Sequence, residues 1–273
     1  MMNEFIATNQ RNWDSRVAPH MTSADYDLAG FRQSRCSLKS IELEELGHVT
    51  DKTLLHLQCH FGMDTLSWVE RGAIVTGVDF SEQAILQARK LAAEMDIDAT
   101  FIQSDVYALP ERLTDQFEVV YTSYGVLCWL GDLSRWAQIV ADALKPGGIF
   151  YIVEGHPAAD MFTVDSTGGL RAGYSYFNSG PARYESAQSY LSESHEALQA
   201  TTTYQWEHSM GEIITSLIEA GLQIKFLHEF PYAAYPKLST MQEGDDGWWR
   251  LPDDNMGIPF LFSLLATKCN ATK

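Results

Sequence analysis

A regular alternation of apolar runs and helical patterns between residues 51 and 157 limits this chain to a few architectures. The five apolar runs that predict buried strands are KTLLHLQC, AIVTGVDF, ATFIQSDV, FEVVYTSYGVL and IFYIVEGHP. Amphipathic segments such as SEQAILQARKLAAEM, capped by Ser81, predict helices between them. Apolar strands that alternate with helices are typical of a parallel sheet covered on both faces.

The C-terminal part of the chain adds a helix and two more strands. SMGEIITSLIEAG predicts the helix, and LQIKFLHEF and PFLFSLLATK predict the strands. Because no convincing helix separates these strands, they should pair antiparallel. We therefore predict an α/β fold, a Rossmann-like doubly wound sheet of seven strands that is mostly parallel with an antiparallel last strand, plus an inserted cap.

Composition along the chain suggests four segments. Residues 1–50 are polar with helical spacing and predict an N-terminal helical lid; residues 51–157 form the cofactor-binding core, and 206–273 complete the sheet. Residues 158–205 are rich in Gly, Ser, Thr and Tyr, and ARYESAQSYL and ALQATTTYQW favour an antiparallel pair. We interpret this segment as a cap over the active site; a surface loop is the alternative, which its length disfavours.

Charge and cysteine usage exclude several classes of function. The chain has 19 Lys and Arg against 36 Asp and Glu, a net charge of −17. Such a surface repels nucleic acid and anionic lipid, so neither is an expected partner. The four cysteines are far apart without a CxxC pair, which argues against a disulfide framework. With no signal-like or membrane-spanning run apparent, the expected location is cytoplasmic.

The loop CHFGMD, after the first strand, is the expected ligand site. Ligands of open parallel sheets bind beyond the carboxyl ends of the strands. Gly62 allows close approach of the backbone, and the following helix N-terminus favours a negative group. Asp79 ends the next strand, where a carboxylate can accept hydrogen bonds from ribose hydroxyls. These features fit a nicotinamide cofactor as well as an adenosyl one.

Three observations favour the adenosyl cofactor. The fingerprint GxGxxG is absent, since the loop offers Gln58, His60 and Gly62 instead. Asp105 ends the third strand in QSDVYALP, where an acid suits an adenine amino group. The predicted sheet ends with an antiparallel strand rather than a second mononucleotide-binding half. A nicotinamide-dependent oxidoreductase is therefore the least favoured alternative.

In this order and spacing, these motifs resemble those of the class I S-adenosylmethionine-dependent methyltransferases. LLHLQCHFG stands at the glycine-rich motif I, and TGVDFS at the acidic strand-2 motif. QSDVYALP stands at the adenine-contacting motif, FEVVYTSYGVLCWL at the strand-4 motif, and LKPGGIFYIVE at the turn into strand 5. The resemblance is close over residues 50–155. The sequence departs from the family at Gln58 and His60, where motif I usually has glycines.

The resemblance implies S-adenosylmethionine as cofactor, S-adenosylhomocysteine as product, and a set of cofactor-binding residues. Asp79 would hold the ribose, Phe80 would stack near the adenine, Asp105 and the Val106 N–H would bind the adenine, and the end of strand 4 would face the methionine. The full set is Gln58, His60, Gly62, Asp79, Phe80, Ser104, Asp105, Val106, Thr122 and Ser123. Turn capping by the two acids and core packing of Phe80 are the structural alternatives.

No metal site is expected at the opening motif. On an alternating strand His56 points away from its neighbours Leu55 and Leu57, so it need not converge with Cys59 and His60.

Catalytic candidates lie where the strand ends should meet the cap. Histidine suits proton removal near neutral pH, which favours His156 after strand 5 and His208 before the last helix. Tyr124 could orient the acceptor. The expected acceptor-binding aromatic residues are Trp13, Tyr174, Tyr176 and Trp206. Structural histidines and ordinary core packing are the competing interpretations.

We therefore expect a methyltransferase that transfers a methyl group to O or N of a small, aromatic or apolar molecule, as a monomer or homodimer. One alternative is a protein of this fold that binds S-adenosylmethionine without methyl transfer. Another is a methyltransferase for RNA or protein, of which the acidic charge disfavours RNA.

Overall fold

The computed structural model describes residues 2–177, 180–191, 197–252 and 257–270. Its helices are α1 (Met2–Thr22), α2 (Leu28–Ser34), α3 (Ser40–Glu45), α4 (Met63–Glu70), α5 (Glu82–Met95), α6 (Leu133–Ala143) and α7 (Met210–Glu219). Its strands are β1 (Thr53–Leu57), β2 (Ile74–Asp79), β3 (Thr100–Gln103), β4 (Phe117–Ser123), β5 (Leu144–Gly155), β6 (Phe162–Val164), β7 (Leu170–Ala172), β8 (Ala182–Glu185), β9 (Thr202–Gln205), β10 (Leu222–Phe230), β11 (Gln242–Glu243), β12 (Trp249–Arg250) and β13 (Leu261–Lys268).

A seven-stranded sheet organises the chain. Its order is β10-β13-β5-β4-β1-β2-β3. Strands β1 to β5 pair parallel, whereas β13 pairs antiparallel with both β5 and β10. The predicted α/β fold with an antiparallel last strand is confirmed. Because the strand order reverses between β1 and β4, the carboxyl ends of these two strands open a crevice there.

Strand alternation divides the core between the two faces of the sheet. On β1, Leu55 and Leu57 pack in the cluster that includes Trp136 of α6, whereas Leu54 packs in a second cluster with Trp68 of α4. All three leucines are fully buried. The near-continuous burial of the central strands explains why they appear in the sequence as uninterrupted apolar runs.

Side-chain hydrogen bonds cap the starts of helices α5 and α6. Ser81 accepts a hydrogen bond from Ala84 N at the start of α5, and Asp132 accepts one from Arg135 N at the start of α6. Helix α6 ends at Ala143, because Leu144 already pairs with Phe117 of β4. The PGG turn after α6 therefore belongs to an irregular first part of β5.

Small hairpins fill the segment between β5 and α7. β8 pairs antiparallel with β9, as the sequence predicted for ARYESAQSYL and ALQATTTYQW. A second hairpin, β6–β7, was not predicted. Further along, β11 and β12 pair between the last two long strands, and the described part of that region contains no helix. No described helix combines the length and apolar character that crossing a bilayer requires.

Candidate active site

A cavity of about 570 Å³ opens at the carboxyl ends of β1, β2 and β4. It lies at the crevice where the strand order reverses. Of the residues predicted to bind cofactor or acceptor or to act in catalysis, those that line it are Trp13, Gln58, His60, Gly62, Asp79, Phe80, Ser104, Asp105, Val106, Ser123 and Tyr124.

The loop from Gln58 to Gly62 keeps the backbone shape of a glycine-rich turn without most of its glycines. The φ angles of Gln58, His60 and Gly62 are 57°, 50° and 84°. Left-handed backbone is costly for residues with a Cβ atom, which explains why glycine usually occupies such positions. Any side chain at position 62 would also collide with Phe101, because its Cβ atom would lie 2.8 Å from that ring. The two non-glycine residues place functional groups at the cavity wall.

Asp79 forms the floor of the cavity at the end of β2. Its Oδ2 accepts a hydrogen bond from His60 N at 2.8 Å, and its Oδ1 accepts one from Ser81 N at 2.8 Å. The two oxygens together offer about four acceptor positions, so the carboxylate keeps acceptor capacity beyond its backbone donors Ser81, His60 and Phe80. Burial raises the pKa of Asp79 to about 6, against the backbone donors that lower it. This arrangement suits a pair of vicinal hydroxyls.

The next strand end supplies the groups predicted for an adenine. Asp105 begins a 3₁₀ turn at Val106, and its Oδ1 lies 3.4 Å from Tyr107 N. Burial raises the pKa of the Asp105 carboxyl. The main chain of this corner is fixed by Ser104 N, which donates to Asp79 O at 2.9 Å. Phe80 also lines the cavity, and its carbonyl oxygen accepts from Gln10 Nε2 at 2.8 Å.

One carboxylate lines the opposite end of the cavity and a second lies behind the lining, and the sequence predicted a site role for neither. Asp64, at the start of α4, accepts from Ser37 Oγ at 2.5 Å and from Ser123 Oγ at 3.3 Å. Behind it, Tyr124 donates from its hydroxyl to Glu42 Oε2 at 2.8 Å. Glu42 is fully buried, and burial raises its pKa to about 7, with the nearby charge of Asp64 acting in the same direction.

The turn after β4 is held by one buried carboxylate. Glu154 of β5 accepts hydrogen bonds from the backbone N–H groups of Gly125, Val126 and Leu127 at 2.5, 2.7 and 3.2 Å. Val126 O in turn accepts from Gln58 Nε2 at 3.0 Å. Tyr124 has a positive φ of 36° in this turn. Glu154 therefore fixes the wall of the cavity that presents Tyr124.

Helix α1 contributes Ile6, Asn9 and Trp13 to the cavity lining and connects the sheet to the segment 158–205. Asn9 donates to Tyr204 O at 2.7 Å and accepts from Tyr204 N at 2.8 Å, which joins α1 to β9. Asp14 Oδ1 accepts from Ser81 Oγ at 2.6 Å and from Gln83 N at 3.2 Å, which joins α1 to the start of α5. Trp13 projects from the helix between these anchors and lines the cavity.

Several cavity residues carried no signal in the sequence. Tyr26, Trp129 and Tyr190 come from three distant segments and meet around Trp13 and His60. The centroids of the Trp13 and Trp129 rings are 5.3 Å apart. Because only the packing of α1 and the cap against the sheet brings these rings together, no spacing in the sequence could have identified them.

Other predicted site residues do not line the cavity. His156 is buried; its Nδ1 accepts from Ala158 N at 3.0 Å and its Nε2 lies 2.8 Å from Glu229 Oε1, outside good hydrogen-bond geometry. His208 Nε2 is 2.6 Å from Leu130 O and lines a separate depression. Thr122 is fully buried and donates to Leu57 O at 3.2 Å.

The aromatic residues predicted in and after the insertion are also outside the cavity lining. Tyr174 is exposed, Tyr176 accepts from Met210 N at 2.9 Å through its hydroxyl, and Trp206 is buried against Phe5. Near the N-terminus, Arg35 pairs with Glu70 on the surface. Among the described parts of the chain, no group of His, Cys, Asp or Glu has the arrangement of a metal site.

Comparison with known proteins agrees with the fold described above. Residues 54–148, which run from β1 to the irregular start of β5, match the model of the methyltransferase domain family. Residues 54–148, about a third of the chain, therefore form a methyltransferase domain. The methyltransferase domain thus contains the loop of Gln58 and His60, Asp79, Asp105 and Tyr124, whereas α1 and the cap lie outside it.

The curated relatives match less than half of this chain. A ubiquinone biosynthesis O-methyltransferase of Pseudomonas fluorescens is 28% identical over 124 residues, which cover 45% of this chain and 53% of that protein. The chain thus spans about half the length of the curated relatives it matches.

Two solved structures share the fold. An S-adenosylmethionine-dependent methyltransferase from Mesorhizobium loti has a TM-score of 0.56 and 23% identity, covering 81% of this chain and 93% of that one. The glycopeptide N-methyltransferase MtfA, solved with S-adenosyl-L-homocysteine, has a TM-score of 0.53 and 17% identity, covering 88% and 90%. At these identities the likeness shows the fold alone.

Proposed function

We propose that this chain transfers a methyl group from S-adenosylmethionine to an oxygen or nitrogen atom of a small molecule. The observation that carries the proposal is the Asp79 carboxylate, which is buried beneath the left-handed loop, lines the cavity and keeps acceptor capacity for a ligand. Such a carboxylate accepts the two ribose hydroxyls of an adenosyl group. Asp105 and the Val106 N–H lie at the next strand end, where they suit an adenine edge.

The orphaned polar atoms of the cavity fit the amino acid part of that cofactor. Gln58 Oε1 is buried without a partner among the described residues, although its amide nitrogen is bonded. An unpaired buried acceptor is costly, and an ammonium group would satisfy it. Asp64, with its two serine donors, supplies a negative charge at the same end of the cavity.

A small acceptor fits the enclosure better than a macromolecule. The cavity volume lies within the range of about 300–1,000 Å³ that is usual for small-molecule sites. Helix α1 and Tyr190 cover the cavity, and Trp13, Trp129 and Tyr190 offer ring faces for stacking. The chain's acidic balance also opposes nucleic acid.

Bound S-adenosylmethionine would supply an electrophilic methyl group on a sulfonium centre, and the chain has to align the acceptor and exclude water. Tyr124 is the catalytic candidate that the cavity geometry supports. Its hydroxyl can take a proton from the acceptor while it passes its own proton to Glu42 Oε2, 2.8 Å away. A carboxyl whose pKa is raised to about 7 is suited to that role near neutral pH.

Calorimetric titration with S-adenosylmethionine, S-adenosylhomocysteine and NAD tests the cofactor assignment. We expect micromolar binding of the two adenosyl ligands and none of NAD. Asp79→Asn should weaken that binding at least tenfold, because an amide accepts fewer hydrogen bonds than a carboxylate. The exposed Asp115→Asn is the matched control. A folded wild-type protein that binds no adenosyl ligand would refute the proposal.

Methyl transfer itself is tested by an acceptor screen that measures S-adenosylhomocysteine formation. Phenols, amines and carboxylic acids form the first panel. We expect turnover with at least one small acceptor and its loss in Tyr124→Phe, which keeps the ring and removes the hydroxyl. Tight adenosyl binding without turnover would instead support a binding protein of the same fold.

A further inference from the structure

Four polar side chains form a continuous hydrogen-bonded chain that ends at the cavity. Arg16 of α1 donates from a terminal nitrogen to Ser189 Oγ at 3.2 Å. Ser189 Oγ lies 2.7 Å from His20 Nε2, and His20 Nδ1 lies 2.9 Å from His60 Nε2. We call this the Arg16–His60 chain. It joins the cap, the lid helix and the cofactor loop, and only His60 among its four members lines the cavity.

The guanidinium fixes the direction of these hydrogen bonds. An arginine can only donate, so Ser189 Oγ accepts from it. Among the described residues, the remaining partner of Ser189 Oγ is His20 Nε2, so the serine hydrogen points there. A neutral His20 then carries its hydrogen on Nδ1 and donates it to His60 Nε2. A neutral His60 must carry its own hydrogen on Nδ1.

Both histidines are neutral near pH 7. Burial lowers the pKa of His20 to about 3, and the charge of Arg16 acts in the same direction. Burial, His20 and Arg16 likewise hold the pKa of His60 well below its usual value. The order of donors deduced above therefore applies at physiological pH.

The Arg16–His60 chain ends in a hydrogen-bond donor that has no acceptor among the described residues, and a second such donor lies beside it. His60 Nδ1 is buried and has no hydrogen-bond partner among the described residues. The same holds for Trp13 Nε1, and the two rings are in edge-to-face contact with centroids 5.3 Å apart. Both side chains line the cavity. Two buried N–H groups without acceptors are costly, and an oxygen ligand would satisfy them.

The charge behind these donors calls for an anion. Arg16 is 6% exposed, and no carboxylate pairs with it in the described part of the structure. Its guanidinium instead lies 5.5 and 5.6 Å from the centroids of Trp13 and Tyr190. A buried positive charge without a counter-ion is unfavourable, so a negative ligand nearby would stabilise it.

We infer that Trp13 Nε1 and His60 Nδ1 form a carboxylate-binding site, with Arg16, Ser189 and His20 as positioning residues. A carboxylate matches the site because its two oxygens accept the two donors and its charge complements the buried guanidinium. Two sources offer this chemistry: the amino acid carboxylate of the adenosyl cofactor, and a carboxylate on the acceptor. Both sources rest on the proposed function, but binding of a free carboxylate such as benzoate tests the site independently of it.

Titration of three ligands into Trp13→Phe tests the site and separates its sources. The substitution removes the N–H and keeps an aromatic ring. Trp249→Phe, outside the cavity lining, is the control for a tryptophan loss. S-adenosylhomocysteine carries the amino acid carboxylate, 5′-methylthioadenosine is the adenosyl probe without it, and benzoate is the acceptor-like probe, titrated with and without S-adenosylhomocysteine.

Loss of one charge-assisted hydrogen bond should weaken carboxylate binding roughly tenfold or more. If the cofactor is the source, Trp13→Phe weakens S-adenosylhomocysteine and leaves 5′-methylthioadenosine unchanged. If the acceptor is the source, both adenosyl ligands bind normally and the variant loses benzoate binding. Either result supports the site.

His20→Phe provides a second variant, because it keeps a buried ring and breaks the chain behind His60. It should reproduce the ligand selectivity of Trp13→Phe, whereas a merely structural role would weaken all three ligands equally. Unchanged binding of all three ligands in Trp13→Phe would overturn the inference. Failure of the wild-type protein to bind either adenosyl ligand would instead refute the proposed function, and the benzoate titration would still decide the site.

Discussion

The Asp79 carboxyl should make cofactor binding depend on pH. Its pKa is raised to about 6 in the free protein, and ribose hydroxyls donate to the ionised form. Binding therefore lowers this pKa and releases a proton at acidic pH. Below pH 6 the affinity for S-adenosylhomocysteine should fall by about tenfold per pH unit, as one pKa unit corresponds to a tenfold change. Calorimetry at pH 5, 6 and 7.5 measures the slope.

Two variants make the Asp79 assignment specific. Asp79→Asn should bind weakly with no slope between pH 5 and 7.5, because the titrating group is gone. Asp115→Asn should retain the wild-type slope. An unchanged slope in Asp79→Asn would assign the proton to another group.

The pH dependence of stability that Glu42 contributes is opposite to that of an ordinary salt-bridged carboxylate. Its pKa is raised from 4.5 to about 7, so the folded state retains the proton that the unfolded chain loses. The stability contributed by Glu42 should therefore fall as pH rises from about 4.5 to 7 and then level off. Glu42→Gln should lack this loss and be more stable than wild type at pH 7.5 relative to pH 5.

Denaturant unfolding at the two pH values measures the effect of Glu42. Glu44→Gln on the same helix is the matched control, because Glu44 is exposed. If wild type and Glu42→Gln show parallel pH profiles, Glu42 does not hold a proton near neutral pH.

At the scale of single elements, substitutions in the loop between β1 and α4 can measure the cost of its left-handed backbone separately from the loss of a side chain. At Gln58, φ is 57°, so glycine should be better tolerated than alanine. Both substitutions lose the hydrogen bond to Val126 O, but only alanine keeps the left-handed strain of about 1 kcal/mol. We expect Gln58→Gly to be more stable than Gln58→Ala by about that amount in denaturant unfolding.

Gln138 offers the reverse case within α6. It is exposed in the helix, where glycine costs about 1 kcal/mol relative to alanine. Gln138→Gly should therefore be the less stable of its pair. If alanine is preferred at both positions, the left-handed conformation of Gln58 is not maintained in solution.

The ends of the strands could be predicted from the sequence, whereas the directions of the side chains at those ends could not. Asp79 and Asp105 follow parallel strands, so the sheet itself places them at one edge. His156 also follows a strand, yet its backbone N–H pairs with Phe260 O and its ring faces Glu229 of β10. Which way a residue turns after a strand depends on the neighbour that accepts its backbone bonds, and that neighbour is distant in sequence.

At the scale of the whole molecule, the position of helix α1 depends on its contacts with both α5 and β9. Asp14 holds it to the start of α5, and Asn9 holds it to β9. Asp14→Ala should increase amide hydrogen exchange across residues 2–22, because the helix loses its anchor to the sheet side. Glu4→Ala on the exposed face of α1 should leave the exchange unchanged.

The affinity for ligand should depend on how firmly α1 is held against the cavity. If the closed form is the one that binds, the affinity of Asp14→Ala for S-adenosylhomocysteine falls by the factor by which its closed fraction falls. Faster exchange with unchanged affinity would show that α1 covers the cavity without contributing to binding.

The contacts that hold α1 against the site were the part that the sequence could not predict. Polar helical spacing in residues 1–50 predicted a lid, and three helices lie there, but the burial of Asn12 and His20 within α1 breaks the usual amphipathic pattern. These polar side chains are buried because they bond to the cap and to the cofactor loop, 188 and 40 residues away. Long-range polar partners leave no periodic signal.

Because helix α1 is anchored on both sides of the cavity, its movement can control when a ligand enters or leaves. If ligands enter only when α1 or the segment around Tyr190 moves away, association includes an opening step that the ligand does not control. The observed association rate should therefore reach a plateau at high ligand concentration. That plateau reports the opening rate, and product held under the same helix would leave no faster than the gate opens.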